Sequence, residues 1–529
     1  MVFPKKLTSM HYVWIVAISV LLLKAVFFIV TPLRNLGMTT WIIDDAFIEI
    51  TIGHNIAAGR GFTYDWVHAT SGAPLLWVYI LAIPFLFLSF AAGIKASFIL
   101  SGIFGMLATI IIYVLAKRVT GNTTTAWIAF ILATFTGNAF LEAVNGMDTS
   151  IFAFLTLGGI AAYFCLPRTG SPFRRGAITG LLIGLSLLVR ADGIFVGMAL
   201  GLLMLWRWWK EPAARRDTMY ELIGFVTMCA LCLAFFMGFQ YSRTGSPMPA
   251  NQVGRRGLAL AWHGFSYDDF SLPRYLRIVI WNFFQLEKLV TVAIGSSLLG
   301  FTGLVWCMHK KETRTFAIMM SIYVGCFFFL LIAYQWYFAD FHGLRYINAP
   351  VHLFCIAMAV LFTALPAARF RTASITLLTL STIILSWYGI YNLSNTLRWG
   401  KYLSFIGRPS AENIKAFMGP SDWIKENIPP GTIVGVRDYG RFTIFTELPV
   451  QDLAGNIDPA MTNFTKNNDG EGMKEYLRSR NVQYLYIPSL DVRADQVYQL
   501  LHAHLPLEMV VMEEFPDSPT KLYRINWEE

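Results

Sequence analysis

Twelve long apolar runs fill the first three quarters of this chain, near residues 11–31, 74–92, 96–116, 124–138, 149–166, 177–189, 194–209, 219–240, 288–308, 315–334, 350–367 and 373–391. Runs of this length cannot be left in water, and in lipid a backbone must satisfy its own hydrogen bonds, so each run is expected to be helical. The composition agrees. Of 529 residues, 55% are hydrophobic and only 14% charged, where soluble chains carry about 25% charged residues. With a mean hydropathy of +0.52, a soluble globular enzyme and a disordered chain are both excluded. The expectation is a polytopic α-helical membrane protein.

Charge then decides which runs cross. The formal net charge is +9. Residues 1–391 hold 28 Lys/Arg against 15 Asp/Glu, a net +13, and residues 392–529 are −4. The basic balance therefore belongs to the membrane part and calls for no nucleic acid. Basic clusters lie at Lys5/Lys6, Lys117/Arg118, Arg168/Arg174/Arg175, Arg207/Lys210/Arg215/Arg216, Lys310/Lys311/Arg314 and Arg369/Arg371. Basic residues collect on the cytoplasmic side of membranes. All six clusters fall on that side only if the run at 74–92, which contains Pro74, Pro84 and Ser89, stays at the outer interface. This gives about 11 transmembrane helices plus outer-face interfacial helices, with the N-terminus inside and the C-terminus outside. The first run is about 21 residues long with no small-x-small site after it, so it reads as a retained span.

Composition changes after residue 391. Pro429-Pro-Gly431 and Asp/Asn-rich turns separate short β-prone runs at Thr432–Val436, Tyr484–Ile487, Met509–Met512 and Leu522–Ile525. Helical patterns lie between them, at about 411–427, 471–480 and 494–504. The expected organisation is a transmembrane domain over 1–391 and a soluble α/β domain over 392–529 on the outer face. The six cysteines (Cys165, Cys229, Cys232, Cys307, Cys326, Cys355) all lie in apolar stretches, and Cys229-x-x-Cys232 within a span reads as filler rather than as a metal or redox pair.

The outer ends of the spans collect ionisable groups. The first outer loop opens with Asp44-Asp45-Ala-Phe-Ile-Glu49, followed by an amphipathic helix carrying His54 and ended by Gly59-Arg-Gly61. Two adjacent carboxylates beside a bilayer repel each other. One can cap the helix while the other does chemistry. The next outer segments bring Glu142 and Asp148, then Arg190 and Asp192 in an otherwise apolar stretch, where an Arg–Asp pair pinning two helices is the structural alternative. Arg243, Asn251, Arg255 and Arg256 follow, and then Arg345. Basic groups suit a phosphate; acids suit proton abstraction and sugar hydroxyls. Lys24, about seven residues or ~10 Å from the outer end of the first span, reads as a snorkelling residue. There is no HxxxH or HExxH, so a structural zinc is not indicated, and no Walker A or GxGxxG, so ATP-driven transport and nucleotide-sugar use lose support.

These elements resemble the GT-C superfamily of integral-membrane glycosyltransferases, most closely the bacterial branch that includes the mycobacterial terminal β-arabinofuranosyltransferase. Asp44-Asp45-Ala-Phe-Ile with Asn55-Ile-Ala-Ala-Gly59-Arg-Gly61 is similar to that family's first-loop signature, and Ala73-Pro74-Leu-Leu-Trp77 to its next element. Asn145-Gly-Met-Asp148-Thr149, Leu188-Val-Arg190-Ala-Asp192-Gly193, Gly245-Ser-Pro-Met-Pro-Ala-Asn251 and Leu344-Arg345-Tyr346 resemble later elements in the same order. In the C-terminal part, Asp438-x-Gly440 and Val450-x-Asp452-Leu-x-Gly455-x-x-Asp458-Pro459 look like the family's outer domain. Thr51 and His54 stand where the family often has Arg.

The resemblance implies a transfer of one sugar, with inversion, from a polyprenyl-phosphate donor to a cell-envelope glycan outside the bacterial inner membrane. It implies Asp44 or Asp45 as base, with Asp44 preferred. Arg190, Arg345 and Arg243 would bind donor phosphate; Glu142, Asp148, Asp192, Asn251 and His54 would bind substrate. No cofactor is required, although clustered carboxylates could hold a divalent cation. The rival readings are a transporter or flippase of lipid-linked glycans, which predicts polar residues at the membrane midplane, and an envelope scaffold, which has no need of converging Asp and Arg.

The orientation is tested by single cysteines in a cysteine-free background. Those placed in 62–72 and 456–470 should react with an impermeant maleimide from outside, and those in 117–122 and 309–314 should not. Outside labelling of 117–122 would mean that 74–92 crosses the membrane.

Overall fold

The computed structural model describes residues 8–37, 42, 44–247, 299–334, 348–364, 371–396, 420–437, 439–455, 457–488, 496–510, 512 and 520–528. They fall into two compact units. One is assembled from Met1–Val30, Phe98–Phe235 and Leu272–Lys401, and the other from Thr31–Ser97, Phe236–Ser271 and Tyr402–Glu529.

The first unit is helical: α1 (Ser9–Val30), most of α5 (Phe90–Thr120), α6 (Thr123–Phe135), the short α7 (Gly137–Glu142), α8 (Thr149–Cys165), α9 (Pro172–Val189), α10 (Gly193–Lys210) and most of α11 (Arg215–Thr244). Further helices cover Leu299–His309, Arg314–Tyr334, Asn348–Ala364 and Arg371–Thr396. Every run expected to span is helical where it is described; the run at 288–308 is described only from 299. Among the described residues four helices, Ser9–Val30, Phe90–Thr120, Pro172–Val189 and Pro212–Thr244, are long and apolar enough to cross a membrane. On α1, Ile15, Leu22, Leu23, Val26, Ile29 and Val30 are exposed while Val13, Ala17 and Phe28 are buried. A helix apolar on its outward face has lipid as its solvent, and the chain is a membrane protein.

Small residues let the helices of this unit approach closely. Gly176, Gly180 and Gly184 form a stripe one turn apart on α9. A Cβ at these positions would run into Glu221, Phe225 and Cys232 of α11. Without a hydrophobic drive between helices in lipid, such backbone approach carries much of the packing. Beside the stripe, the Arg175 guanidinium holds Glu221 through two hydrogen bonds of 2.8 and 2.6 Å, and Arg207 reaches the same carboxylate at 3.4 Å. Arg175 and Arg207 were expected as solvated basic residues at a membrane edge; both are buried, because Glu221 compensates their charge.

The second unit joins the first outer loop to the C-terminal part. Its loop helices are α2 (Leu33–Gly37), α3 (Asp44–Ala57) and α4 (Leu75–Phe85). At about 1.5 Å per residue, α4 is roughly 16 Å long, well short of the ~30 Å hydrocarbon core. The run at 74–92 is thus split between α4 and the start of α5, in keeping with its expected non-spanning role. Gly53 of α3 lies so near Leu81 of α4 that any larger residue would collide with it. The turn after α3 needs positive φ at Gly59 and Gly61. It is fixed by Asn55, whose amide donates to the Thr63 carbonyl at 3.0 Å and accepts from Arg60.

The C-terminal part carries a five-stranded sheet of order β2-β1-β3-β5-β4, with β1 at Ile433–Val436, β2 at Val450–Asp452, β3 at Val482–Pro488, β4 at Leu507–Val510 and β5 at Thr520–Ile525. β1 runs parallel to β2 and β3, and β5 antiparallel to β3 and β4. The Ile-Val-Gly-Val sequence of β1 is buried throughout, as a central parallel strand requires. Helix Gly470–Ser479 starts where Asp469 accepts from the Gly472 amide, and it buries Met473 and Leu477 on the sheet core. The strand at Val450–Asp452 and the helices Tyr439–Thr446 and Pro459–Asn467 were not expected. The compact unit that holds the sheet also takes in residues 31–97, which precede the compositional change at 392.

The α9 stripe gives a direct test. Gly180→Leu should separate α9 from α11 and lower the thermal stability and monodisperse yield of purified protein, whereas Gly170→Leu, in open space, should leave both near wild type.

Candidate functional site

The expected residues form two groups, one in each unit. In the helical unit, the end of α7 supplies Glu142, and a turn through Gly146 (φ +78°) brings the chain to Asp148 at the start of α8. Arg190 ends α9 and Asp192 starts α10. Asn145 donates to the Glu142 carboxylate at 2.8 Å, and its oxygen accepts from the Met147 amide at 2.9 Å. Arg190 donates from Nε and Nη2 to Asp192 Oδ2 at 3.1 and 2.9 Å, and from Nη1 to both oxygens of Asp148 at 3.1 and 3.3 Å. The side chains are 10% exposed for Arg190, 4% for Asp148 and 18% for Asp192.

These residues were expected to converge with Arg243 and Arg345 on one face; here Arg190 joins Asp148 and Asp192, and Glu142 is held by Asn145 on the turn before α8. Arg190, expected on donor phosphate, has all three of its guanidinium nitrogens engaged by carboxylates. A buried Arg between two Asp side chains ties the ends of α8, α9 and α10, which is the pinning alternative, with Asp148 added.

In the other unit, Asp44 and Asp45 open α3. Asp44 accepts from the backbone amides of Gly440 and Arg441, each at 2.8 Å. These are the first-turn amides of helix Tyr439–Thr446, so Asp44 caps a helix nearly 400 residues away in sequence. The Arg441 side chain completes the contact. It donates to the carbonyls of Gly37 and Ile42, both at 2.6 Å, and pairs with Asp44 at 3.4 Å. Gly440 is obligatory here, because a Cβ at that position would strike the Asp44 backbone and carboxyl group. Asp44, which the family pattern prefers as the base, here takes a capping role. Asp45, half-buried, lies about 100° further round α3, with the buried Glu49 one turn on.

His54, expected on substrate, packs against the rings of Phe85 and Phe90 at centroid distances of 5.2 and 4.7 Å. Burial, then the neighbouring Arg60, hold its imidazole below the usual pKa, against a smaller opposing effect of Glu447. Arg243 sits over Phe239 and lines a pocket of about 270 Å³ with Asp65, Asp458, Tyr476 and Arg480. Asn251 and Arg345 lie outside the described residues. Among the described residues no group of three His, Cys, Asp or Glu side chains could hold a metal ion.

Arg441, Asp65 and Arg480 were missed by sequence reasoning. Arg441 directly follows the Asp438-x-Gly440 element, which was its one available signal. Asp65 accepts from the Val67 and His68 amides and from the His68 ring at 2.6 Å. Asp452, named within a motif but given no role, holds four amides, those of Ala454, Gly455, Ile457 and Asp458. Its complete burial, reinforced by the neighbouring Asp458, pushes its carboxyl up to about 7 against the lowering effect of those amides.

Comparison with known proteins gives a consistent picture. The family described as Domain of unknown function (DUF8728) matches residues 410–526. No curated protein matches the sequence significantly. Among solved structures, the chain is similar to the apo oligosaccharyltransferase of Archaeoglobus fulgidus, with TM-score 0.58, 14% identity, and coverage of 93% of this chain and 73% of that one. It is similar to ArnT from Cupriavidus metallidurans bound to undecaprenyl phosphate, with TM-score 0.53, 13% identity and 98% coverage of both chains. It is also similar to the Archaeoglobus fulgidus AglB complex with an inhibitory peptide and a dolichol-phosphate, with TM-score 0.51, 16% identity, and coverage of 91% and 70%. At these identities the likeness is one of fold.

The buried Arg190 cluster has a measurable signature. Removing one partner of a buried ion pair costs about 3–5 kcal/mol, so Arg190→Ala should sharply lower thermal stability. The triple substitution Arg190→Met, Asp148→Asn, Asp192→Asn, which leaves no unpaired charge, should recover much of it. An Arg190→Ala protein as stable as wild type would rule out the pinning role.

Proposed function

Starting from the GT-C fold of integral-membrane glycosyltransferases, which the chain carries over nearly its whole length, we propose that it transfers a single sugar from a polyprenyl-phosphate donor to a cell-envelope glycan, with inversion at the anomeric carbon. The observation that carries this reading is the carboxylate pair at the start of α3. One member is locked to the C-terminal domain and the other stands beside it on a rigid helix. In this reading the protein is a bacterial inner-membrane enzyme with its sheet domain outside, and its donor belongs to the class of lipid carrier bound in the ArnT and AglB structures.

The chemistry assigns the base to Asp45. The acceptor hydroxyl oxygen attacks the anomeric carbon, the bond from that carbon to the phosphate oxygen breaks, and the acceptor proton passes to a carboxylate within about 3 Å. The polyprenyl phosphate leaves with the electron pair, stabilised by cations. Asp44 is a poor base because its oxygens are occupied by two amides and a guanidinium. Its role is to fix the first turn of α3, and so the position of Asp45. Arg243 and Arg345 remain the phosphate candidates, and Asn251 a substrate contact. Asp148 and Asp192 act through Arg190 on the ends of α8, α9 and α10, and Glu142 through Asn145 on the turn before α8. A monophosphate donor requires no metal for this step.

The two carboxylates are separable by experiment. Asp45→Asn should lower single-turnover transfer from a polyprenyl-phosphate sugar by about 10²–10⁴-fold with thermal stability unchanged. Asp44→Asn keeps an acceptor for the cap but loses the charge facing Arg441, so it should lower stability and retain measurable transfer. Normal turnover by Asp45→Asn would remove it as the base.

A further inference from the structure

The pocket beside the carboxylate pair has no part in the proton transfer just described, yet it is built like a recognition site. One wall is the first loop, with Tyr64, Asp65, His68 and Thr70, and the other is the carboxyl end of β2 and the turn after it, with Gln451, Asp452 and Asp458. Open α/β sheets bind ligands outside the carboxyl ends of their strands. Tyr476 and Arg480 close the site from helix Gly470–Ser479 and its C-cap, and Arg243 and Thr244 stand at the end of α11.

The lining is held rigidly. Asp458 Oδ2 accepts from Gln451 at 2.6 Å and from the Tyr476 hydroxyl at 2.7 Å, and its other oxygen caps the next helix. Arg480 donates to the Tyr476 oxygen at 2.6 Å and stands 3.7 Å from Asp65 and 4.0 Å from Asp458. Thr70 donates to the Ile457 carbonyl at 2.7 Å, which sews the two walls together. Side chains locked by one another present their remaining donors and acceptors at little entropic cost.

We propose that this pocket binds one neutral sugar unit of the acceptor glycan. At about 270 Å³ it lies below the range of drug-sized sites, roughly 300–1,000 Å³, and suits a single ring. The lining holds the carboxyl groups of Asp65, Asp452 and Asp458 against the guanidiniums of Arg243 and Arg480, so it offers acceptors beside donors and no positive excess to hold an anion. That pattern matches vicinal hydroxyls, each of which both donates and accepts. Tyr64 lines the pocket and is hydrogen-bonded at 2.7 Å to Thr443 of the helix whose first-turn amides Asp44 holds, which ties this pocket to the carboxylate pair. The proposal rests on the transferase reading and assigns its acceptor a subsite.

The test uses the full chain in lipid nanodiscs, probed by saturation-transfer difference NMR with arabinose, galactose, mannose and N-acetylglucosamine, and with inorganic phosphate in competition. At least one neutral sugar should give saturation transfer that phosphate does not displace. Tyr476→Phe, which removes only a hydroxyl, and Asp458→Asn should weaken that binding about tenfold or more. Ala69→Trp at the exposed mouth should abolish it without touching the hydrogen-bonded lining. Asp45→Asn should bind the sugar like wild type while failing in transfer, so loss of the base and loss of the subsite are read separately. No signal from any sugar, displacement by phosphate, or binding unchanged in Ala69→Trp would each overturn the proposal, and none of them touches the assignment of Asp45.

Discussion

One interaction organises the outer unit: the Asp44 carboxylate on the first-turn amides of helix Tyr439–Thr446. A helix start carries orphan N–H groups and a partial positive charge, and a carboxylate satisfies both. Here the two partners come from opposite ends of the chain. Arg441 adds its guanidinium to the carbonyls of Gly37 and Ile42, which fixes the chain just before α3. Further contacts run between the same partners, among them Phe445 against Gly37, Tyr64 to Thr443, Thr70 to Ile457, Arg480 to Asp65 and Arg34 to Asp422. The exposed Arg34–Asp422 pair is worth little on its own; the buried ones decide. Because α3 is held at its first residue, the direction of Asp45 follows from helical geometry rather than from loop flexibility.

The helical unit solves a different problem, that of charge in an apolar surrounding. Among the described residues two ion sets stand out, Arg175 and Arg207 on Glu221, and Arg190 between Asp148 and Asp192. A single buried charge is prohibitive, whereas a hydrogen-bonded set is tolerated and becomes costly only when one member is removed. Both sets join helix ends or adjacent helices, where small residues also allow close backbone approach. Intramembrane Arg and Asp are read by default as functional. In this protein their first effect is to set the relative positions of α8, α9, α10 and α11, and any role in chemistry passes through that.

Much of this was legible from sequence because it depends on local composition. The apolar runs are helical where they are described, the run at 74–92 is divided between α4 and the start of α5, and the strands at Ile433–Val436, Val482–Pro488, Leu507–Val510 and Thr520–Ile525 lie close to where β-prone residues cluster. The three-residue β2 escaped, since so short a strand has no period to detect; it exists because β1 offers it a parallel edge. His54 was misjudged for a related reason. Nothing in the first-loop sequence says that Phe85 and Phe90 will close round the ring, and a polar residue on an amphipathic helix reads as solvent-facing until its neighbours are known.

The class of protein and the position of its helices were legible in the linear chain. Hydropathy, charge bias and motif order are properties of the linear chain, so they needed no fold to be read. Tertiary structure alone decided which first-loop carboxylate is a cap, because its donors, Gly440 and Arg441, are 396 and 397 residues away. It alone decided that Arg190 is enclosed by carboxylates, and that Asp65, Asp458, Tyr476 and Arg480 share one pocket. A hydrogen-bonding group advertises its chemistry in sequence, but its partner is fixed only when distant segments meet, and it is the partner that determines whether a charge holds the fold or faces a substrate.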